Sequence, residues 1–321
     1  MDNEKGNAVF YGLRFCLILL TGKFFDDILL LTSENTEKQM KILYVTDLDG
    51  TLLRSNAKTS EYTNKVINEL TSKGMLFSYA TARSYHTARK VTEGLNAKIP
   101  IIVYNGSAIL QNETYEIIER NSFAKAEKDE LLSALLQQGV YPIVYSYQNG
   151  KEKFSYIEKK CNAFVKEFVL SRKGDVRDNP VETETDLGFG EVFYFSCIDT
   201  FEKLEPLYER FKGNYNCYFQ KGVYIKEQWL EIVPKRVSKA NAILQLKALL
   251  GVDYIVAFGD GKNDMEMFEI ADEAYAVENA VDELKAIATG IIESNDSDGV
   301  AKWLVENSKL EFQKGINQLE I

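Results

Sequence analysis

From position 40 onward, short apolar runs alternate with segments whose apolar residues recur every three or four positions. The run ILYV reads as a buried strand at 42–45, and the helical pattern at 60–73 ends before Gly74. The same alternation predicts a strand at 75–81, a helix at 83–94 and a strand at 100–106. Strands that alternate with helices indicate an α/β fold, in which helices cover both faces of a parallel sheet.

The pattern changes after about residue 122. Apolar and aromatic residues alternate in VYPIVYSY and EVFYFSCI, as in antiparallel strands, and helices are predicted around 124–138, 161–170 and 201–211. The segment 171–186 reads as a polar loop, and we expect its charged residues Arg172, Lys173 and Arg177 to be solvated. The first pattern then returns, with a helix at 237–251, a strand at 254–260 and a helix at 263–271.

These patterns predict the domain organisation. Residues 40–121 and 233–308 would form the core domain, and residues 122–232 an inserted α+β domain. Residues 1–39 are expected to be an N-terminal extension, so that Met40 opens the folded unit, and residues 309–321 a C-terminal tail. The uninterrupted apolar run at 15–20 is far shorter than the roughly 20 residues of a membrane span. We therefore expect neither a membrane anchor nor a signal peptide.

Composition narrows the function classes. The 321-residue chain has a formal net charge of -10, which argues against nucleic-acid binding and favours small substrates. Its four cysteines form no C-x-x-C pair, so we expect reduced thiols in a cytoplasmic protein rather than a zinc site. His86 is the only histidine, which argues against a histidine-based metal site or a Ser-His-Asp triad. The sequence does not indicate an oligomeric state.

Polar residues follow several strands of the predicted core. The segment DLDGT carries Asp47, Asp49 and Gly50, whereas Thr81 and Lys239 follow later apolar runs and GDGKND (259–264) ends another. Each feature alone is weak, because acidic turns are often solvated and a strand-end threonine is often a helix cap. The carboxyl ends of parallel strands meet at one edge of a sheet. The set together therefore favours a single site.

The chemistry that fits such a set is phosphoryl transfer. Carboxylates from two strands, Asp47 and Asp260, can bind Mg²⁺, which would also relieve the repulsion between neighbouring acids. A carboxylate nucleophile can form an aspartyl-phosphate. Asp49, two residues after Asp47 and on the same side of an extended chain, can serve as acid and base. Thr81 and Lys239 can stabilise the charge of the transferred group, with help from N–H groups of the glycine turn.

Several motifs together resemble the haloacid dehalogenase (HAD) superfamily of hydrolases. DLDGTLL, ATARS, VSKANAI and GDGKNDMEMF are similar to its four motifs in order. YNGSAIL (104–110), ENA (278–280) and SNDSDGV (294–300) resemble segments of its Cof-type sugar-phosphatase branch. The resemblance covers about residues 40–305. Ala82 replaces the usual glycine of the second motif, and no Met-Gly precedes ENA.

The resemblance implies a Rossmann-like core, an inserted cap domain that opens and closes, and a role for each matching residue. Asp47 would be the nucleophile and Asp49 the acid and base. Mg²⁺ would be bound by Asp47, the backbone carbonyl of Asp49, and Asp260. The phosphate would be bound by Thr81, Ala82, Lys239, Asn263 and Gly50. Supporting contacts would come from Asp264, Arg83 and Asn105.

The implied activity is magnesium-dependent hydrolysis of small phosphorylated metabolites, with sugar phosphates expected, through an aspartyl-phosphate. A phosphotransferase or mutase on the same fold and a non-catalytic phosphometabolite-binding protein remain alternatives. Cap residues should choose the substrate, although most of the cap aromatic residues are expected to fill its core. These aromatic residues are Phe189, Phe193, Tyr194, Phe195, Tyr218, Tyr224 and Trp229.

Overall fold

The computed structural model describes residues 40–221 and 227–308. The predicted extension at 1–39, its apolar run, the predicted tail at 309–321 and Tyr224 lie outside the described residues. Within the described ranges, no helix combines the length and the apolar character that crossing a membrane requires.

The strands are numbered here in chain order. In the described residues they are β1 (Ile42–Thr46), β2 (Leu76–Tyr79), β3 (Ile101–Val103), β4 (Ala108–Leu110), β5 (Ile117–Arg120), β6 (Ile143–Gln148), β7 (Lys151–Tyr156), β8 (Asp178–Pro180), β9 (Glu191–Asp199), β10 (Tyr215–Lys221), β11 (Gln228–Pro234), β12 (Tyr254–Gly259), β13 (Glu273–Val277) and β14 (Gly290–Ile292).

The core sheet is parallel, as the alternating pattern predicts. Its strand order is β14-β13-β12-β1-β2, and every adjacent pair is parallel. The central strands are buried because both faces are covered. In this order β1 and β12 are neighbours although about two hundred residues separate them, so the loops after them share one edge.

The helices begin and end at recognisable signals. Ser60 accepts a hydrogen bond from the backbone of Thr63 and caps the first helix, and Gly251, at φ 59°, ends the helix that Ser238 caps. The α-helices of the described residues are Glu61–Ser72, Tyr85–Val91, Lys125–Gln137, Ala163–Leu170, Glu184–Leu187, Phe201–Phe211, Lys239–Leu250, Met265–Ile270, Asp282–Lys285 and Gly299–Asn307.

A second, six-stranded sheet has the order β10-β11-β9-β6-β7-β8 and is antiparallel except for its last pair. One face packs on its own helices through residues such as Phe195, Leu230 and Ile232. The fold class predicted from the sequence, a parallel α/β core with an inserted α+β cap, is therefore confirmed. The exact division at residues 122 and 232 stays a prediction.

Two local expectations were wrong. The predicted strand at 100–106 ends at Val103, and β3 belongs to a separate antiparallel sheet with β4 and β5, touching the core sheet through a single bridge. The chain turns there because Tyr104 and Asn105 both have positive φ. The segment 171–186 is not a purely solvated loop, since it contains β8 and a short helix.

Arg177 contradicts the expectation of a solvated side chain most clearly. It is 3% exposed and donates to Glu152 at 2.8 Å and to Asp175 at 2.6 Å. The same guanidinium donates to the Tyr104 hydroxyl at 2.9 Å, and Tyr104 in turn donates to Glu152. Because Tyr104 follows β3, this buried network joins the cap to the core.

We predict that Arg177→Met destabilises the protein by about 3–5 kcal/mol, because Glu152 would remain buried without its charge partner. Urea unfolding followed by circular dichroism measures this change. Lys159→Met is the matched control, because Lys159 pairs with Glu182 on the open surface and its loss should not be measurable. Equal stabilities of the Arg177 variant and the parent would contradict the prediction.

Candidate active site

Asp47 and Lys239 meet in the interior at the carboxyl edge of the core sheet. Asp47 directly follows β1, and its N–H donates to the Phe258 carbonyl of β12 at 2.9 Å. Lys239 opens the helix Lys239–Leu250 and is 1% exposed. Its Nζ donates to Asp47 Oδ1 at 2.5 Å and to Asp264 Oδ1 at 2.7 Å. Residues that lie almost two hundred positions apart in sequence thus form one ion-paired group.

Asp264 holds the loop after β12. Its Oδ2 accepts the N–H groups of Asp260 and Gly261, each at 3.0 Å, while Oδ1 accepts from Lys239. Both oxygens of this buried carboxylate are therefore engaged. We interpret Asp264 as the residue that orients Asp260 and Lys239, in line with the supporting role predicted for it.

The turn after Asp47 depends on glycine. Gly50 has φ 77°, and a Cβ at this position would lie 2.3 Å from Asp260 Oδ2. A residue with a side chain would be strained at this φ, and its Cβ would collide with the Asp260 carboxylate. On the other side of this turn, the Thr51 hydroxyl donates to Asp260 Oδ1 at 2.9 Å. The turn thus brings the first motif against the fourth.

The acidic residues fit a hard divalent cation. Asp47, Asp260 and Asp264 each offer a carboxylate oxygen, and these oxygens lie within 4.8 Å of one another. Burial raises the pKa of Asp47 well above its usual value, although Lys239 opposes the shift. Burial and the charge of Asp264 raise the pKa of Asp260 to about 6. Lys239 carries one positive charge among three carboxylates, so it cannot neutralise all of them. Carboxylate oxygens are the ligands that Mg²⁺ prefers.

Asp49 points away from this cluster towards Arg83. The guanidinium donates two hydrogen bonds to its carboxylate, at 2.7 and 2.6 Å, and the Asp49 side chain is about half exposed. This contact raises the pKa of Arg83. The two parallel hydrogen bonds fix the orientation of the Asp49 carboxylate.

The remaining predicted residues lie around the same edge. Thr81 is buried; its Oγ1 accepts the Arg83 N–H at 3.1 Å, and its carbonyl accepts the Asn105 N–H at 2.9 Å. Ala82 and Asn263 line the cleft above Asp47 and Asp260. The structure therefore brings the predicted residues to one sheet edge, with Asn105 beneath Thr81. Their chemical roles stay predictions.

A cleft of about 790 Å³ opens over these residues. Asp47, Asp49 and Asp260 lie on its core side, and residues 216–220 of β10 form its cap side. Of the cap aromatic residues named above, Phe193, Tyr194 and Phe195 are buried, whereas Phe189 is exposed. Tyr218 faces the cleft, and Trp229 packs on Phe168. Phe193 and Tyr194 contact Tyr104 of the core domain, so only part of the described set fills the interior of the cap.

Sequence reasoning did not assign a role to the residues that hold the first motif. The Asn279 side chain donates to the Gly50 carbonyl at 2.7 Å and accepts the Asn295 N–H at 3.0 Å. Asn295 in turn donates to the Leu53 carbonyl at 2.8 Å. Asn279 lies in the segment ENA, and Asn295 lies in SNDSDGV. The motif resemblance therefore marked these segments, but it did not indicate which residues they contact.

A comparison with models of protein families shows to which family the chain belongs. The model of the haloacid dehalogenase-like hydrolases matches residues 44–304. The chain belongs to this family. The predicted HAD resemblance is therefore confirmed, over nearly the whole of the described structure.

Individual HAD relatives agree with this assignment. The 5-amino-6-(5-phospho-D-ribitylamino)uracil phosphatase YwtE of Bacillus subtilis is 28% identical over 283 residues, which cover 80% of this chain and 95% of that protein. A crystal structure from Thermotoga maritima has 27% identity and a TM-score of 0.68, covering 84% of this chain and 98% of its own. A HAD-like hydrolase from Bacteroides thetaiotaomicron has 25% identity and a TM-score of 0.64, covering 81% and 97%.

We predict that Gly50→Ala weakens Mg²⁺ binding at least tenfold, because the added Cβ would displace the Asp260 carboxylate. Isothermal titration calorimetry with MgCl₂ measures the affinity. Gly74→Ala is the matched control, since Gly74 also has positive φ, at 100°, but no atom within 4 Å of the added Cβ. The control should lose about 1 kcal/mol of stability and keep its Mg²⁺ affinity. Equal affinities of the Gly50 variant and the parent would show that the turn does not set the metal site.

Proposed function

We propose that the chain is a magnesium-dependent phosphatase that hydrolyses small phosphorylated metabolites through an aspartyl-phosphate on Asp47. The observation that carries this proposal is the position of Asp47, which lies at the floor of the cleft between Lys239 and the Asp260 carboxylate. The phosphatase named among the relatives gives independent support. The phospho-ribityl group in the name of its substrate also favours a sugar or polyol phosphate.

Asp47 and Asp260 would hold Mg²⁺, together with the predicted carbonyl of Asp49. When bound, the ion supplies positive charge that lets an anionic phosphate approach a carboxylate. The Lys239 ammonium already faces Asp47 and can donate to a phosphoryl oxygen. The Thr81 hydroxyl accepts from the Arg83 backbone, which leaves its own proton available for a second phosphoryl oxygen.

The reaction then follows from the two acidic residues of the first motif. A carboxylate oxygen of Asp47 attacks phosphorus, the ester P–O bond breaks, and protonated Asp49 gives its proton to the leaving oxygen. Asp49, now ionised, takes a proton from water, whose oxygen attacks phosphorus and releases phosphate and free Asp47. The Arg83 guanidinium, paired with the Asp49 carboxylate, orients this side chain at the edge of the cleft.

Asp47→Asn should abolish turnover, because an amide oxygen is a far weaker nucleophile and a weaker metal ligand than a carboxylate. Hydrolysis of p-nitrophenyl phosphate, with MgCl₂ or with EDTA, provides the measurement, and EDTA should abolish the activity of the parent. Asp129→Asn, on an exposed cap helix, is the matched control and should keep full activity. An active Asp47 variant would assign the nucleophile elsewhere. A parent protein without turnover on any phosphomonoester would favour the non-catalytic alternative.

Lys239→Ala should lower kcat roughly 10²–10³-fold, because a buried charge-assisted contact to the transferred group would be lost. The same assay, normalised to folded protein by circular dichroism, gives the value. Lys262→Ala provides a comparison, because Lys262 also lies at the cleft but pairs with Glu283 at the surface. We expect a much smaller effect there. Similar losses in both variants would argue for a general electrostatic effect rather than a specific contact.

A further inference from the structure

The cap sheet presents a row of polar side chains on the face that Tyr218 directs to the cleft. Tyr218 on β10 pairs with Glu231 on β11, and Glu231 pairs with Ser196 on β9. Cross-strand partners in an antiparallel sheet share a face. Since Tyr218 lines the cleft together with Asp47 and Asp260, the row begins at the wall of the cleft that holds the candidate nucleophile.

Charged residues at the reaction centre shift the pKa of the Tyr218 hydroxyl. Burial raises the pKa of its hydroxyl first, Glu266 and Glu231 raise it further, and Lys239 opposes them. The Asn216 amide donates weakly to this hydroxyl, at 3.4 Å. Tyr218 therefore keeps its own proton, and the structure gives this proton no acceptor among the described residues. The hydroxyl is a donor that faces the space where the leaving group would lie.

Hydrogen-bond acceptors with free capacity lie beside the Tyr218 hydroxyl. Glu231 is the cross-strand neighbour of Tyr218; burial raises the pKa of its carboxyl to about 7, and the Tyr194 hydroxyl opposes this shift. The Ser196 hydroxyl is buried and has no hydrogen-bond partner in the described structure. The side-chain oxygen of Asn105, whose amide lies 3.5 Å from the Tyr194 hydroxyl, also lacks one. Buried polar atoms without partners are rare in folded proteins, and they point to a ligand or water that completes them.

We propose that Tyr218 and Glu231 form the part of the site that selects the leaving group. Tyr218 donates to one hydroxyl oxygen of a polyol or sugar phosphate, and Glu231 accepts the proton of a neighbouring hydroxyl. The acidic side chains Glu231 and Glu266 disfavour a leaving group that carries a second phosphate or a carboxylate. This inference rests on the proposed phosphatase function. It adds the residues that bind the leaving group of the phosphate ester.

The test compares two esters that share the reaction but differ in hydroxyl groups, ribitol 5-phosphate and p-nitrophenyl phosphate. In Tyr218→Phe and in Glu231→Gln, the ratio of kcat/KM for the first ester to that for the second should fall about tenfold, the effect of one hydrogen bond. The change should lie mainly in KM of the polyol ester. Glu231→Gln should also raise kcat/KM for fructose 1,6-bisphosphate relative to fructose 6-phosphate severalfold.

The cap offers a matched control pair. Tyr141 donates to Glu184 at 3.2 Å on the exposed side of the cap, away from the cleft. Tyr141→Phe and Glu184→Gln should keep the ratio within twofold of the parent. An unchanged ratio in the Tyr218 and Glu231 variants, or an equal loss on both esters, would overturn the selection by these residues. A parent that hydrolyses neither ester would instead overturn the proposed function itself.

Discussion

The buried ammonium of Lys239 lies between the carboxylates of Asp47 and Asp264, and the geometry of the candidate site depends on this contact. Burial disfavours a charged lysine, but the two carboxylates keep its pKa high, so the group remains an ammonium. Asp264 in turn fixes the backbone of Asp260. The Lys239 ammonium thus sets the positions of acidic residues that follow two different strands, β1 and β12. Local sequence alone could not hold these residues together.

The position of these residues could be predicted because a parallel sheet places the loops after its strands along one edge. Asp47, Thr81 and Asp260 each follow an apolar run, and the order of the motifs identified the family before any contact was known. Gly50 could be predicted as a turn residue. Its second constraint, the space filled by the Asp260 carboxylate, depends on the pairing of β1 with β12 and is visible only in the structure.

The contacts between cap and core could not be predicted, because polar side chains look alike in sequence whether they are solvated or buried in pairs. Arg177 lies in a charged segment that reads as a loop, yet Glu152 and Asp175 neutralise it in the interior. Tyr218 belonged to a group of aromatic residues of which most were expected to fill the cap. Only the register of β10 and β11 shows that it lies beside Glu231 and faces the cleft.

The Arg177 network also bears on the predicted opening and closing of the cap. It holds Tyr104, and the next residue, Asn105, donates its N–H to the carbonyl of Thr81. Tyr104 and Asn105 have φ of 51° and 52°, a conformation that costs energy in residues with side chains and persists where surrounding contacts enforce it. The cap supplies those contacts, since the Tyr104 ring packs on Phe193 and Tyr194. A motion that lifted this part of the cap would expose a buried ion pair and release the loop beneath Thr81. Substrate entry that leaves this part of the cap in place keeps both the ion pair and the loop as they are.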